Sequence, residues 1–371
     1  MLVGVALMAT ALLGCSSEQP VPSNTESTET KSAEQEILAC IAGHRATPAF
    51  RPIVAAMCSE RFRLRGVSVA VAIARGDDVV FELAMGPRCE GEPDALRPDT
   101  TLRMGSVTKL VTAAVASSIA NQRGISLREP LDLGPPTPTA PLSLHALLSH
   151  TSGLRDSDPP PVQADEWWPK ALGDRVAPGS HHYANVNYLA VGRWLEHTTG
   201  QSFAELYAEL PTLAPLRERV SFDRDAAKEL GCSHYGWGTW QPVPLRTEAL
   251  LPAFTLPSGG GLASTRDLAR LPDALRRMGV LETMIADPTP TERPGIRYGL
   301  GVRISDNDDG PVLAHSGQTA GQWAELQWSP AGGYAVAVMS STPRAYKATL
   351  LAAFEAARSA KAEQRAPLED Q

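Results

Sequence analysis

Runs of β-branched and other apolar residues occur in two parts of the chain. The early pair, 67–74 and 79–85, flanks a Gly-Asp-Asp turn signal at 76–78, which predicts a β-hairpin. The late runs are 312–315, 323–328 and 334–339. Because short links join these late runs, antiparallel pairing is favoured. The pattern therefore predicts an antiparallel sheet of about five strands.

Between the early and late apolar runs, apolar residues recur with the spacing expected of helices. Over 106–121, apolar side chains recur at i, i+3 and i+4, and the segment is almost wholly apolar or small. This is typical of a buried helix. Residues 185–199 predict a second helix. Ser264 and Asp267 resemble the capping pair that begins a third.

The order of these elements predicts the fold class. Strands and helices occur in separate runs, which is typical of an α+β fold. We expect N-terminal and C-terminal helices, 34–63 and 346–361, to flank the sheet. A mostly helical subdomain is inserted beside it, with a cleft between them. The expected domain spans 36–365, with an α/β part at about 36–102 and 300–361 and a helical part at about 103–299.

The first 35 residues predict export and a tether. Residues 1–14 form a short apolar run typical of a signal peptide, and Leu-Leu-Gly-Cys ending at Cys15 resembles a bacterial lipobox, in which the cysteine is acylated. No Lys or Arg precedes the run, which departs from that pattern. The Ser/Thr/Glu/Pro-rich stretch 15–35 is expected to be a flexible tether. We therefore expect a lipoprotein of the bacterial cell envelope, at the outer membrane or facing the periplasm.

Composition narrows the function classes. The 371 residues are 43% hydrophobic and 20% charged, with a net charge of −7, and no basic run suggests nucleic-acid binding. Four cysteines follow the lipobox: Cys40, Cys58, Cys89 and Cys232. None forms C-x-x-C, which argues against zinc and thioredoxin-like sites. The sequence also has no H-E-x-x-H, P-loop or dinucleotide-binding motif, so no metal site or cofactor is expected. An even number in an exported protein suggests disulfides, with three pairings open and four free buried thiols as the alternative.

Ser106 and Lys109 lie one turn apart at the start of the predicted 106–121 helix. A lysine there loses hydration and lies near the positive end of the helix dipole, and both effects favour the neutral amine. A neutral amine can take the hydroxyl proton, and backbone N–H groups at the helix start can hold an oxyanion. The pair therefore indicates an activated serine nucleophile, although a serine there also serves as an N-cap.

Two further polar groups lie at element boundaries. Tyr183 and Asn185 directly precede a predicted helix, where they can relay a proton and hold an amide, or simply serve as core and cap residues. His315, Ser316 and Gly317 interrupt a β run. A glycine there lets a ligand approach the strand closely, and the alternative is an ordinary strand end with a satisfied histidine.

The three motifs resemble those of the penicillin-recognising serine hydrolases, which include class C β-lactamases, D-Ala-D-Ala carboxypeptidases and related esterases. The family pattern is S-x-x-K, then Y-x-N, then K/H-[ST]-G, and this chain has S-V-T-K at 106–109, Y-A-N at 183–185 and H-S-G at 315–317. LLSHTSGL at 147–154 and PSGGGLASTRDLARL at 257–271 also resemble family segments. The resemblance implies a β-lactamase/transpeptidase-like fold.

It also implies a catalytic role for each matching residue. Ser106 would be the acylated nucleophile and Lys109 its activator. Tyr183 would carry the proton to the leaving group and later activate the deacylating water. Asn185 would position the substrate amide.

The third motif would complete the site. The backbone N–H groups of Ser106 and Gln318 would form the oxyanion hole. His315 and Ser316, next to Gly317, would face a substrate carboxylate. Class C β-lactamases carry Lys where His315 stands, whereas peptidases and esterases of the family often have His. Because imidazole is mostly neutral at pH 7, His315 offers a hydrogen bond instead of a fixed charge, which argues against efficient turnover of penicillins and cephalosporins.

The resemblance implies a serine hydrolase that forms an acyl-enzyme with an amide or ester. The candidate substrates are a D-Ala-D-Ala-type peptide such as a peptidoglycan stem peptide, a β-lactam, or a small ester. The alternative is a non-catalytic envelope binding protein that retains the fold.

Overall fold

The computed structural model describes residues 25–63, 67–88, 94–135, 138, 141–156, 168, 176, 178–223, 253–319 and 321–365. The α-helices of these residues are α1 Thr25–Gly43, α2 Arg51–Arg63, α3 Thr108–Gln122, α4 Leu144–Leu148, α5 Val186–Thr199, α6 Phe203–Glu209, α7 Ala214–Arg217, α8 Leu256–Gly259, α9 Thr265–Arg277, α10 Leu281–Ile285 and α11 Pro343–Arg365. Short 3₁₀ helices are Pro48–Phe50, Gly105–Val107, Pro211–Leu213 and Ala253–Thr255. The strands are β1 Val69–Arg75, β2 Asp78–Met85, β3 Thr101–Arg103, β4 Leu262–Ser264, β5 Thr289–Pro290, β6 Ile296–Tyr298, β7 Arg303–Asn307, β8 Gly310–Thr319, β9 Gln322–Ser329 and β10 Tyr334–Ser340.

The main sheet has eight strands in the order β2-β1-β10-β9-β8-β7-β6-β5, and the described pairs are antiparallel. The five predicted strands are β1, β2, β8, β9 and β10. The expected number of about five was wrong because β5, β6 and β7 extend the sheet. These strands are short and partly exposed, so they lack the apolar alternation that identifies a strand in sequence.

Two of the added strands also change the expected boundary between the parts. Strands β5 and β6 lie inside the stretch 103–299 that was expected to be helical, yet they belong to the main sheet. A separate two-stranded sheet of β3 and β4 joins the two parts, pairing Leu102 with Ala263. The sheet is therefore built from more of the chain than its strongest β patterns indicate.

Both faces of the sheet are covered. Along β1, Val69, Val71 and Ile73 face the terminal helices α1, α2 and α11, whereas alternate alanines face the helical part. This alternation follows from the period of two along a strand. The small alanines allow α9 to pack against β1 and β10. The sheet thus separates two apolar cores.

The N-terminal helix begins inside the predicted tether. Helix α1 starts at Thr25, so residues 25–35 are helical and not the flexible coil expected there. The predicted signal peptide 1–14 and tether residues 15–24 lie outside the described residues. The stretch contains Glu, Lys, Gln and Ala and no Gly or Pro before Gly43, which favours a helix despite its low hydrophobicity. In the described part of the chain, no helix combines the length and apolar character needed to span a bilayer.

A disulfide joins Cys40 of α1 to Cys58 of α2, with the two Cα atoms 6.0 Å apart. This selects one of the pairings that the sequence left open and excludes the four-free-thiol alternative. Cys89 and Cys232 lie outside the described residues. His44 approaches both sulfur atoms, but its ring nitrogen bonds to the backbone oxygen of Cys40, and the disulfide leaves no thiolate to bind a metal.

Candidate active site

Lys109 is fully buried at the start of α3 and contacts three oxygen atoms. Its Nζ lies 3.0 Å from Ser106 Oγ, 2.9 Å from Asn185 Oδ1 and 2.8 Å from the backbone oxygen of Ser258. Ser106 lies in the 3₁₀ turn Gly105–Val107, which continues into α3. The S-x-x-K spacing therefore places the amine against the hydroxyl, as predicted.

The three contacts suit an amine that receives a proton. The amide oxygen of Asn185 and the backbone oxygen of Ser258 can only accept hydrogen bonds, so they take two N–H groups. The third contact is a hydroxyl, which can also donate. In its neutral form, Lys109 can direct its lone pair at Ser106 while both N–H groups stay bonded.

Tyr183 is 40% exposed and lines the same pocket as Ser106. The Lys109 Nζ lies 5.2 Å from the centre of the Tyr183 ring. Behind Tyr183 lies the buried ring of His150, with 4.3 Å between ring centres. The aromatic packing holds Tyr183 at the pocket surface, near the serine and the lysine.

Asn185 occupies the N-cap position of α5, but its side chain does not cap that helix. Its Oδ1 accepts from Lys109, and its Nδ2 donates to Asp156 Oδ2 over 3.0 Å. Asp156 also accepts from the backbone N–H groups of Asn185 and Val186, at 2.9 and 2.8 Å. Both ends of the Asn185 amide are therefore bonded.

Strand β8 passes close to Ser106 at Gly317 and Gln318. A Cβ on Gly317 would lie 1.8 Å from the backbone oxygen of Met104, so only glycine fits this approach. Gly105 has φ of +52°, and a Cβ there would lie 2.7 Å from the Gln318 nitrogen. The two backbone N–H groups expected to form the oxyanion hole, those of Ser106 and Gln318, thus lie on adjoining segments of the pocket.

The part of β8 beside Ser106 has one open edge among the described strands. Strand β7 pairs with β8 only as far as Ala314, opposite Arg303, whereas β9 pairs through Thr319. Residues 315–319 therefore pair with a strand on one side only. An open strand edge can hydrogen-bond the backbone of an extended peptide.

His315 lines the pocket, but its ring is too deeply buried to meet a substrate carboxylate as expected. Its side chain is only 2% exposed, its Nδ1 bonds to the Ser316 backbone oxygen at 2.8 Å, and its Nε2 lies 2.8 Å from Tyr298 Oη. Burial lowers the pKa of His315 well below the usual value, and the charge of Arg303 lowers it further. The prediction of a mostly neutral imidazole agrees with this, but Tyr298 and the Ser316 backbone engage both ring nitrogens within the protein.

Arg303, at the start of β7, supplies a positive charge that the motif analysis missed. Its Nη2 donates to Ser316 Oγ and lies 3.7 Å from Glu325 Oε1. Burial raises the pKa of Glu325, and Arg303 lowers it. The Arg303 side chain remains 29% exposed and lines the pocket beside Ser316. It is thus placed where the H-S-G motif was expected to meet a carboxylate.

A pocket of about 770 Å³ opens over these groups, a size suited to a small ligand. The predicted residues in its lining are Ser106, Tyr183, Asn185, His315, Ser316, Gly317 and Gln318. The charged residues in its described lining are Arg103, Arg293, Arg303 and Glu292. Three guanidinium groups against one carboxylate favour an anionic ligand.

The structure brings the predicted pocket residues together, with Lys109 buried beneath them, and Cys15 lies outside the described residues. Sequence reasoning missed Asp156, Ser258 and Arg303. Ser258 lies in the Gly-rich segment that resembled a family segment, which was the one available signal. An isolated Asp or Arg gives no such signal, since its partners are distant in sequence.

Residues 50–359 match the sequence family described as Beta-lactamase. The chain belongs to the Beta-lactamase family. The predicted resemblance of this beta-lactamase-family protein to the penicillin-recognising serine hydrolases is therefore confirmed at the level of the family.

Relatives of this beta-lactamase-family chain are distant. It is 25% identical to penicillin-binding protein 4 of Amycolatopsis lactamdurans over 309 residues, covering 74% of this chain and 80% of that protein. It is 24% identical to a D-aminopeptidase of Brucella ovis over 291 residues, covering 71% of this chain but only 54% of that protein. Its fold resembles a beta-lactamase from Sulfitobacter sp. EE-36, with a TM-score of 0.70 and 18% identity, covering 86% of this chain and 100% of that one. The predicted fold class is thereby confirmed, apart from the number of strands.

Proposed function

We propose that this protein hydrolyses an amide bond in a small peptide that ends in a free carboxylate, through an acyl-enzyme at Ser106. The observation that carries the proposal is the contact between Lys109 Nζ and Ser106 Oγ at the floor of the pocket. The names of its relatives, a penicillin-binding protein and a D-aminopeptidase, support a peptide or amide substrate. Arg303 beside Ser316 supports a carboxylate at one end of it.

The residues around the pocket account for each step. Ser106 Oγ attacks the carbonyl carbon as its proton passes to Lys109, and the N–H groups of Ser106 and Gln318 stabilise the oxyanion. Collapse breaks the C–N bond, and Tyr183 relays a proton to the leaving amine. Water then attacks the ester, which releases the acid and restores the Ser106 hydroxyl.

The proposal is tested by replacing the nucleophile. Ser106→Ala is expected to lower amide hydrolysis at least about 1,000-fold and to abolish labelling by a fluorophosphonate, since the proposed acyl-enzyme forms on the Ser106 hydroxyl. Digestion of the labelled wild-type protein and mass spectrometry of its peptides identify the residue that carries the label. The control is Ser117→Ala on the same helix, because the buried Ser117 hydroxyl has no hydrogen-bond partner among the described residues.

Hydrolysis that persists in Ser106→Ala, or labelling at another residue, would contradict the proposal. A wild type that shows neither hydrolysis nor labelling would favour the non-catalytic binding protein. A panel separates the substrate classes: a D-Ala-D-Ala peptide, the same peptide with a C-terminal amide, a chromogenic cephalosporin and a nitrophenyl ester. We expect the free-carboxylate peptide to be the best substrate. A preference for the amidated peptide would contradict the proposal that the substrate ends in a free carboxylate.

We also propose that the protein is exported and held at a cell-envelope membrane by a lipid on Cys15. The Cys40–Cys58 disulfide supports export, because disulfides persist mainly in oxidising compartments. Incorporation of a labelled fatty acid should occur in the wild type and be lost in Cys15→Ser. Equal labelling of both would contradict the anchor.

A further inference from the structure

Asp156 lies beside the proposed active site without touching Ser106 in any described contact. Its carboxylate accepts three hydrogen bonds at the start of α5: from Asn185 N at 2.9 Å, Asn185 Nδ2 at 3.0 Å and Val186 N at 2.8 Å. The helix residues are 29 and 30 positions further along the chain. Asp156 therefore caps this helix from a separate segment.

This external cap changes what Asn185 can do. Asparagine at an N-cap position ordinarily uses its own Oδ1 to accept a backbone N–H of the first turn. Here the Asn185 backbone has φ of −63° and ψ of −34°, its side chain makes no cap bond, and Oδ1 instead accepts from Lys109 Nζ. Because Asp156 supplies the cap, the Asn185 oxygen is available to the lysine.

Asp156 also selects the orientation of the Asn185 amide. With Nδ2 on the carboxylate and Oδ1 on the lysine, each contact pairs a donor with an acceptor. Rotating the amide by half a turn would set its NH₂ against Lys109 and its oxygen against Asp156, so both contacts would be lost. A carboxylate opposite Nδ2 therefore keeps the oxygen on the lysine.

The segment that carries Asp156 is itself held in place. Its backbone oxygens at Thr151 and Gly153 accept from Gly179 N and Val176 N, each at 2.8 Å. Ser152 Oγ bonds to Asn187 Oδ1 on the first turn of α5. These bonds hold the carboxylate at a defined position relative to α5.

We propose that Asp156 is a positioning residue for acylation, acting through Asn185 to orient Lys109 toward Ser106. The inference rests on the proposed function, since it assigns how that same site is kept in order. Loss of the carboxylate frees the Asn185 amide to rotate or to cap the helix itself, and Lys109 then loses one of its two accept-only partners.

The test measures the rate at which a fluorophosphonate labels Ser106 in the full chain. Asp156→Asn is expected to slow labelling roughly 10- to 100-fold, the effect of a small misplacement of reacting groups. The matched control is Ser264→Ala, which removes the cap of α9, where Ser264 Oγ accepts from Asp267 N at 3.0 Å. It should lower the melting temperature similarly and leave the labelling rate unchanged.

A double-mutant cycle separates positioning from general destabilisation. In an Asn185→Ala background, Asp156→Asn should lower the melting temperature but slow labelling no further, because the group it acts through is absent. The same fold-loss in both backgrounds would overturn the proposal, as would a wild-type labelling rate in Asp156→Asn.

The experiments distinguish three outcomes: a variant that does not fold, a proposed function that is wrong, and a positioning role that is wrong. If Asp156→Asn does not fold, Asp156→Glu keeps the charge but displaces it by one methylene, and it should also slow labelling; an unchanged rate refutes the positioning role. If wild-type Ser106 is never labelled, the proposed function fails and this inference fails with it. If the wild type is labelled and the Asp156 variants are labelled equally fast, only this inference fails.

Discussion

At the scale of single residues, Lys109 depends on three separate parts of the chain. Its partners are Ser106 one turn away, Asn185 at a separation of 76 residues and the Ser258 backbone oxygen at a separation of 149. A fully buried amine without such acceptors would be strongly destabilising. The hydrogen bonds that compensate the burial of the Lys109 amine also orient it toward Ser106.

Arg303 provides a residue-scale prediction about specificity. Arg303→Ala should lower kcat/KM for a peptide with a free carboxylate roughly 10- to 150-fold, because a hydrogen bond to a charged group contributes about 1.5–3 kcal/mol. A neutral nitrophenyl ester should change by less than about 3-fold. Steady-state kinetics on both substrates measure the difference.

The control for this variant is Arg297→Ala on strand β6, where Arg297 pairs with Asp306 at 2.7 Å, outside the described pocket lining. Arg297→Ala should leave kcat/KM unchanged for both the peptide and the ester. Equal losses on peptide and ester in Arg303→Ala would mean that the arginine supports the pocket structure and does not recognise the carboxylate.

At the scale of elements, the site lies where the strand β8 meets the start of α3. Gly317 allows the strand to approach Met104, and β7 ends its pairing at Ala314, which leaves the edge of β8 open beside Ser106. The strong apolar runs predicted β8, β9 and β10. Strand β7 was not predicted, because its mostly polar, partly exposed residues pair by backbone hydrogen bonds that leave little sequence pattern.

The disulfide between α1 and α2 provides an element-scale prediction. Cys40 and Cys58 are 18 residues apart, and closing a loop of that size in the unfolded chain corresponds to about 3 kcal/mol of stability. The double variant Cys40→Ser/Cys58→Ser should melt roughly 4 °C lower than the wild type.

Scanning calorimetry with and without a reducing agent measures this effect. Fluorophosphonate labelling of Ser106 well below the melting temperature should stay at the wild-type rate, because both helices pack on the sheet face opposite the pocket. An unchanged melting temperature in the double variant would show that the disulfide contributes nothing to stability.

At the scale of the whole molecule, two buried histidines couple stability to pH. Burial lowers the pKa values of His150 and His315 well below the usual value of about 6.5. Below about pH 6.5, both histidines bind protons in the unfolded chain, whereas in the folded chain they stay neutral until the pH reaches their lowered pKa values. Stability is therefore full above about pH 6.5 and falls as the pH decreases toward the folded-state pKa values.

Thermal melting between pH 7.5 and 5 tests this expectation. Each histidine should remove up to about 1.4 kcal/mol per pH unit below pH 6.5. His315→Asn should flatten the dependence, because it removes one of the two buried imidazoles whose pKa is lowered. Parallel curves for the wild type and His315→Asn would rule out His315 as a source of the dependence.

The sequence by itself determined the local elements and the chemical groups of this protein. Apolar spacing of 3.6 and 2 residues identified the long helices and the strongest strands, and S-x-x-K, Y-x-N and H-S-G identified Ser106, Lys109, Tyr183 and Asn185. Only the tertiary structure decided that Asp156 caps α5, that Arg303 lies beside Ser316 and that His315 is buried under Tyr298. These facts depend on segments that are far apart in the chain, and hydrogen bonds between such segments leave no periodic pattern in the sequence of either one.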